Sequence, residues 1–239
     1  MGKSSSLSEY WRLLDLAEDY LRDGFRRPHP PLLAPRREAL PPSPAAREPA
    51  SVQPGSAGLA AIAGEVSACT RCALHRGRAR AVPGEGVPNP LVLVVGEGPG
   101  AEEDATGRPF VGKAGQYLDK WLKAIDLDRS SNCFIANVVK CRPPGNRDPA
   151  PEESAACLPY LRAQIAALRP RAILAAGRVA AQILTGLSVG VGELRRRGHS
   201  YEGIPIEVTY HPSAVLRDPS LRALVWEDLK RLKSTLNDA

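Results

Sequence analysis

From about residue 91 the chain alternates short apolar runs with longer amphipathic ones, and that rotation is the strongest constraint on its fold. "LVLVVG" (91–96), "CFIANVV" (133–139), "RAILAAG" (171–177) and "IPIEVTY" (204–210) read as buried strands bounded by Pro, Gly or polar residues. Between and after them, "AGQYLDKWLKAI" (114–125), the stretch from Pro151 to Leu168, "RVAAQILTG" and "PSLRALVWEDLKRLKSTL" carry helical spacing, and Asp148 with its prolines and acids suits a helix start. Strand and helix in strict turn predict a three-layer α/β/α sandwich around a central four-stranded parallel sheet. Ligands of such folds collect at the carboxyl ends of the strands. Three chemically loaded segments, "GEGPG", "NVVKCRPPGNR" and "YHPSAVLR", follow strand ends and are expected on one rim.

The sandwich does not need all 239 residues. Between Pro28 and Pro54 prolines recur among Arg, Ala, Ser and Glu without an apolar period, which is the composition of an unpacked linker. Residues 1–58 therefore read as a largely disordered extension and 59–239 as the catalytic domain. Within the extension, "LSEYWRLLDLAEDYLRDGF" sets Leu7, Trp11, Leu14 and Leu21 on one stripe and Asp15, Asp19 and Asp23 on the other face. That segment is either a helix that docks a protein partner or one that folds back or frays.

No run approaches the length of a membrane span and the N-terminus lacks an apolar signal core, so the expectation is a cytoplasmic, intracellular protein. The net charge of +6 suits a polyanionic partner and is equally ordinary for a solvated surface.

"GRPFVGKAG" (107–115) comes close to a phosphate-binding loop and fails on three counts. The preceding strand ends about ten residues too early, Pro109 and Phe110 interrupt the run of N–H donors, and Ala114 stands where a metal-binding hydroxyl belongs. The segment instead offers an aromatic ring on a glycine-bounded loop near the strand ends. Such a ring either joins the core or stacks on a flat heterocycle.

Five cysteines occur, and Cys69 and Cys72 form a C-x-x-C. Cys141 and Cys157 bracket a wide segment downstream, while Cys133 opens an apolar strand and reads as a small buried hydrophobe. In an intracellular chain four such thiols point to a metal centre, either tetrahedral zinc or an iron–sulfur cluster, and the wide second pair leans toward the larger group.

Taken together, "GEGPG", "TGRPFVGKAG", "NVVKCRPPGNR", "HPSAVLR" and the interleaved cysteines resemble the family 4 uracil-DNA glycosylases, the iron–sulfur class of their superfamily, over about residues 60–235. The resemblance implies a 4Fe-4S cluster on Cys69, Cys72, Cys141 and Cys157. It also implies an enzyme of base excision repair that flips uracil out of single- or double-stranded DNA and hydrolyses its N-glycosidic bond, leaving an abasic site, and that acts as a monomer.

The same resemblance distributes the roles. Asn137 pairs with uracil O4 and N3–H, Phe110 stacks on the ring, and Glu103 fills the edge where thymine carries its methyl group. His211 donates to uracil O2 as charge develops there. Glu97 orients water and offsets positive charge on the sugar, with Asn146 as its partner across the rim; Gly98 stands where other branches of the superfamily carry Asp. Apart from the resemblance, Leu216 on an expected surface loop either wedges into the gap left by the base or packs against the domain, and Arg217 and Ser213 are candidates to hold phosphate. Lys113, Lys140, Arg142, Arg147 and the run at 195–197 either add sequence-independent attraction to DNA or form an ordinary solvated face. Two readings from other classes compete: a nucleic-acid binding module that has lost its chemistry, and an electron-transfer protein, which would leave Asn137 and His211 without a purpose.

Overall fold

A computed structural model describes residues 55–237. The expected N-terminal helix and most of the Pro-rich extension lie outside them. The first described helix, α1 (Ser56–Ala68), begins inside the segment assigned to the extension, so the boundary lies a few residues earlier than composition suggested.

The four expected strands form the parallel core of a sheet. They are β2 (Val92–Gly96), β3 (Cys133–Asn137), β4 (Ala172–Ala176) and β6 (Ile204–Thr209). Two short antiparallel strands that periodicity did not reveal, β1 (Glu85–Gly86) and β5 (His199–Tyr201), close the edges and give the order β1-β3-β2-β4-β6-β5. Both are too short to carry an apolar alternation. β2, β3 and β4 are buried at every residue, as strands covered on both faces must be.

Successive residues of a strand face opposite layers. Leu93 and Val95 pack with Ile62 and Val66 of α1 and with the helix α4 (Pro151–Leu168) through Leu161 and Ile165. Val92 and Val94 pack with Leu118 and Leu122 of α3 (Lys113–Ala124) and with Leu229 and Leu232 of α8 (Arg222–Asn237). Two apolar cores thus sandwich the sheet.

Four short helices complete the description: α2 (Ala101–Thr106), α5 (Arg178–Thr185), α6 (Val191–Leu194) and α7 (Pro212–Arg217). The segment "HPSAVLR", expected as a loop, is therefore largely α7. His211 is its N-cap and Pro212 its first residue, a position that needs no amide hydrogen. The closing helix starts late for a related reason: Asp218 caps a 3-10 turn over Pro219–Leu221 before α8 begins. Among the described residues no helix is long and apolar enough to cross a membrane.

Parallel register decides where chemistry gathers. Gly96 lies beside Asn137 and Ala176 beside Thr209, so the segments after β2, β3, β4 and β6 emerge at one edge.

Candidate active site

A cleft of about 610 Å³ opens along that edge. Glu97 and Gly98 reach it from the end of β2, Asn137 from β3, Gly177 and Arg178 from the end of β4, and His211 from the end of β6.

Asn137 forms the floor. It is 1% exposed, and its Oδ1 is, among the described residues, the one buried side-chain oxygen or nitrogen without a hydrogen-bond partner. Buried polar atoms are nearly always satisfied, so an orphaned acceptor lining a cleft calls for a donor from outside. Gly96 keeps the space above it: a Cβ there would stand 2.5 Å from Asn137 Oδ1 and 2.5 Å from the Phe110 ring.

Phe110 belongs to the core around α3 and to the cleft wall at once. Its φ of 52° is uncommon for a residue with a side chain and needs external support. Arg129, paired with Asp119 at 2.7 Å, donates to the carbonyls of Pro109 at 3.0 Å and Phe110 at 2.9 Å. Gly115 lets that carbonyl approach, since a Cβ there would lie 1.9 Å from it.

From the other side, the carboxylate of Glu103 accepts the N–H groups of Val111 at 2.8 Å, Gly112 at 2.9 Å and Gly100 at 3.0 Å. Glu103 lines the cleft as a group fixed by backbone hydrogen bonds. This supporting role was not visible in "EED", because it depends on a loop eight residues away. The neighbouring Asp104 is buried and ties α2 to the loop before β1 by accepting the N–H of Ala79 at 3.0 Å.

The ring of His211 lies 5.6 Å from that of Phe110, tilted by 34°. Its Nδ1 accepts the N–H of Ser213 at 3.2 Å and lies 2.8 Å from the Ser213 hydroxyl. Burial, with the nearby Arg217 charge, pulls its pKa down to about 4. The imidazole is therefore neutral near pH 7, and with Nδ1 an acceptor its proton sits on Nε2. Ser213, expected at phosphate, makes its described contacts to this histidine.

Glu97 is shifted above the ordinary carboxylate range by burial and then by the charge of Asp148, with Arg178 opposing. Its expected partner, Asn146, makes no described hydrogen bond to it. Asn146 lines the same cleft, but its Oδ1 accepts from Arg142 Nε at 2.8 Å. The pair flanking Glu97 is instead Asp148 and Arg178, which are joined by a hydrogen bond from the guanidinium. Sequence reasoning missed both residues. Arg178 follows β4 as the first residue of α5, and that position at a strand's carboxyl end was the available signal.

Gly98 has little room for a side chain, since a Cβ would meet Val139 Cγ2 at 2.8 Å. Leu216 is 45% exposed at the end of α7 beside Arg217, which lines the cleft.

Two of the cations expected to face a polyanion, Lys140 and Arg195, are interior, whereas Arg147 and Arg197 are exposed and ion-paired. Lys140 is fully buried and burial pulls its pKa down to about 8. Arg195 is buried against Asp228 at 2.6 Å, which in turn holds Thr209 Oγ1 at 2.7 Å. Arg147 pairs with Glu153 at 2.8 Å and Arg197 with Glu193. A run of arginines in sequence says nothing of which carboxylates the fold will bring to it.

Cys69, Cys72, Cys141 and Cys157 line a second cavity together with Arg78, Lys140 and Tyr160. Cys133 is buried elsewhere, in the core under α3. Among the described residues no three His, Cys, Asp or Glu side chains are drawn together around a single ion. Four sulfurs spread around one cavity fit a polynuclear cluster better than one zinc.

Donors already point at the sulfurs: Arg78 to Cys141 at 3.1 Å, the N–H of Lys140 to Cys157 at 3.3 Å and that of Arg71 to Cys69 at 3.5 Å. Burial pushes the Cys157 thiol up to about 11 and raises Cys141 as well, and a cation bound among the sulfurs would favour their thiolate forms.

A model of the uracil DNA glycosylase superfamily matches residues 83–230. A type-4 uracil-DNA glycosylase of Pyrobaculum aerophilum is 47% identical over 171 residues, covering 67% of this chain and 86% of that protein. One of Thermotoga maritima is 44% identical over 177 residues, covering 72% and 92%. More distantly, a type-5 uracil-DNA glycosylase of Thermus thermophilus is 35% identical over 120 residues, covering 44% and 54%.

Proposed function

The chain belongs to the uracil-DNA glycosylase superfamily, among its type-4 members, and from that premise we propose how its own residues excise the base. It is a uracil-DNA glycosylase, an enzyme of base excision repair that hydrolyses the bond between the sugar C1' and uracil N1 and leaves an abasic site.

The observation that carries the proposal is the orphaned Oδ1 of Asn137. Uracil presents an N3–H donor; cytosine presents a bare N3 acceptor at the same place. An unpaired, buried acceptor on the cleft floor accepts the first and is left unsatisfied by the second, with its Nδ2 toward O4. Phe110, held in its strained conformation by Arg129 and Glu103, offers its ring to the flipped base. The pinned Glu103 carboxylate forms a fixed wall against a C5 methyl group.

As the bond breaks, the leaving uracil gathers negative charge at O2, and the Nε2–H of His211 donates to it. A neutral donor whose proton is placed in advance stabilises charge that exists only in the transition state. Glu97 offsets the positive sugar and orients the water, with Asp148 and Arg178 setting its environment in place of Asn146. Asn146 and Gly98 complete the cleft wall. The exposed Leu216 fills the gap left in the stack, and Arg217 binds phosphate on the monomeric enzyme at the chromosome.

Cys69, Cys72, Cys141 and Cys157 hold a 4Fe-4S cluster in this reading, supported by the shared cavity and the donors aimed at sulfur. Held by these four cysteines, a cluster would tie together the end of α1, the loop after it, the β3–α4 connection and α4.

The proposal is tested with labelled oligonucleotides carrying a single uracil, thymine or cytosine, cleaved by alkali after incubation. Cleavage confined to uracil supports it. Equal cleavage of uracil and cytosine strands contradicts the reading of Asn137.

A further inference from the structure

Lys140 is 1% exposed and ranks among the largest fully buried side chains. Its Nζ donates to the backbone carbonyl of Asn137 at 2.7 Å and to Oε1 of Gln164 at 2.6 Å. Gln164 is itself pinned, because its Nε2 donates to the Pro83 carbonyl at 2.6 Å, leaving only its oxygen for the ammonium. Both acceptors are neutral. Among the described residues no carboxylate stands within ion-pair distance of Lys140.

A buried cation without a counter-charge is strongly disfavoured. The available negative groups are sulfurs. Lys140 lines the four-cysteine cavity, its own N–H donates to Cys157 Sγ, and Cys141 is the next residue in the chain. Four thiolates outweigh the positive charge of a 4Fe-4S core, so the filled site is anionic and can balance the ammonium. The same ammonium donates to the backbone carbonyl of Asn137, the residue whose amide forms the cleft floor.

Taking the four-cysteine site as iron–sulfur, as proposed above, we infer that Lys140 is a positioning residue with two contacts: its ammonium balances the charge of the cluster, and its hydrogen bond to Asn137 fixes the strand end that carries the base-reading amide. Neither Lys140 nor Gln164 touches the base. The link runs through β3, whose last residue is Asn137, and gives a reason for a lysine at a buried position where an apolar residue would pack at lower cost.

Two substitutions separate the contacts. Lys140→Met keeps length and volume but removes charge and donor. Gln164→Glu leaves the Asn137 hydrogen bond in place and gives Lys140 a carboxylate, which screens its charge from the cluster. A nearby cation favours the more negative, reduced cluster, so both variants lower its reduction potential.

The measurements are iron content, reduction potential, oligonucleotide Kd and single-turnover uracil excision, made on cluster-loaded protein. Lys140→Met is expected to lose about 10- to 100-fold in excision rate with Kd little changed, the usual scale for a residue that orients another at a metal-linked site. Gln164→Glu lowers the potential with a smaller loss of rate. Unmoved potentials in both variants, or wild-type excision by Lys140→Met, overturn the inference alone. If Lys140→Met fails to fold, Gln164→Glu still decides the matter: an unchanged potential overturns the counter-charge. A wild-type protein that holds no iron overturns the cluster reading and this inference with it.

Discussion

The backbone N–H of Ser213 donates to Nδ1 of His211 at 3.2 Å, and this contact fixes which nitrogen of the ring carries the proton. Because the ring titrates only at about 4, its donor at Nε2 persists throughout the neutral range. His211→Ala removes that donor and is expected to lower single-turnover excision by about 10²- to 10³-fold, the scale of one lost transition-state donor. The acid limb of the rate profile belongs to Glu97, whose carboxyl titrates above its usual range and must be ionised; Glu97→Gln flattens that limb at a lower plateau.

The same histidine makes stability depend on pH. In the unfolded chain it takes up a proton near its usual 6.5, while the folded protein resists protonation until about 4. Between those values the unfolded state binds more protons, so stability falls as pH drops from about 6.5 to 4. Denaturant melts of the wild type and His211→Gln across that window test this; the variant should show a shallower decline.

Gly96→Ala should silence the site without dismantling the fold. Its added Cβ meets Asn137 Oδ1 and the Phe110 ring, both at 2.5 Å, so the base-binding groups must give way. The expected outcome is a drop in kcat/KM well beyond the change in Tm, with iron content intact. A normal kcat/KM would remove these two groups from the site.

The cysteines divide four to one. Cys141→Ser should lose iron and fold poorly, because its sulfur faces the shared cavity. Cys133→Ala should keep the full iron content with a modest loss of stability, since Cys133 is packed under α3 and its thiol is held up at about 12 by burial. Iron determination on both variants checks the division.

Arg195→Ala is expected to cost about 2 kcal/mol of stability, because it removes one of the two guanidinium partners of the buried Asp228 carboxylate and leaves Arg231 and Thr209 to hold it. It should leave the salt dependence of DNA binding unchanged. Arg217→Ala should do the reverse, reducing the slope of log K against log salt by about 1.

Long, strongly periodic segments made the fold legible. The four parallel strands and α4 were visible because strands buried on both faces read as apolar blocks and Pro151 with its acids marks a helix start. β1 and β5 were not, since two or three residues carry no period. Site residues at strand ends were legible through their motifs, above all Asn137 and His211, which the fold brings to one cleft.

What sequence could not supply was pairing across distance. Glu103 supports Val111 and Gly112, Asp148 meets Arg178, and Lys140 and Arg195 are interior rather than surface cations. Each of these depends on residues brought near only by folding. Within the run at 195–197, for example, Arg195 is interior and paired with Asp228 while its two neighbours stay exposed.

The central claim is that the unpaired Oδ1 of Asn137 reads uracil. The direct test is single-turnover excision from a uracil-containing oligonucleotide by wild type and Asn137→Ala, each shown to carry the same iron content. The account predicts a loss of at least about a hundredfold in rate with DNA affinity and iron absorbance preserved. Excision by Asn137→Ala at the wild-type rate would contradict it.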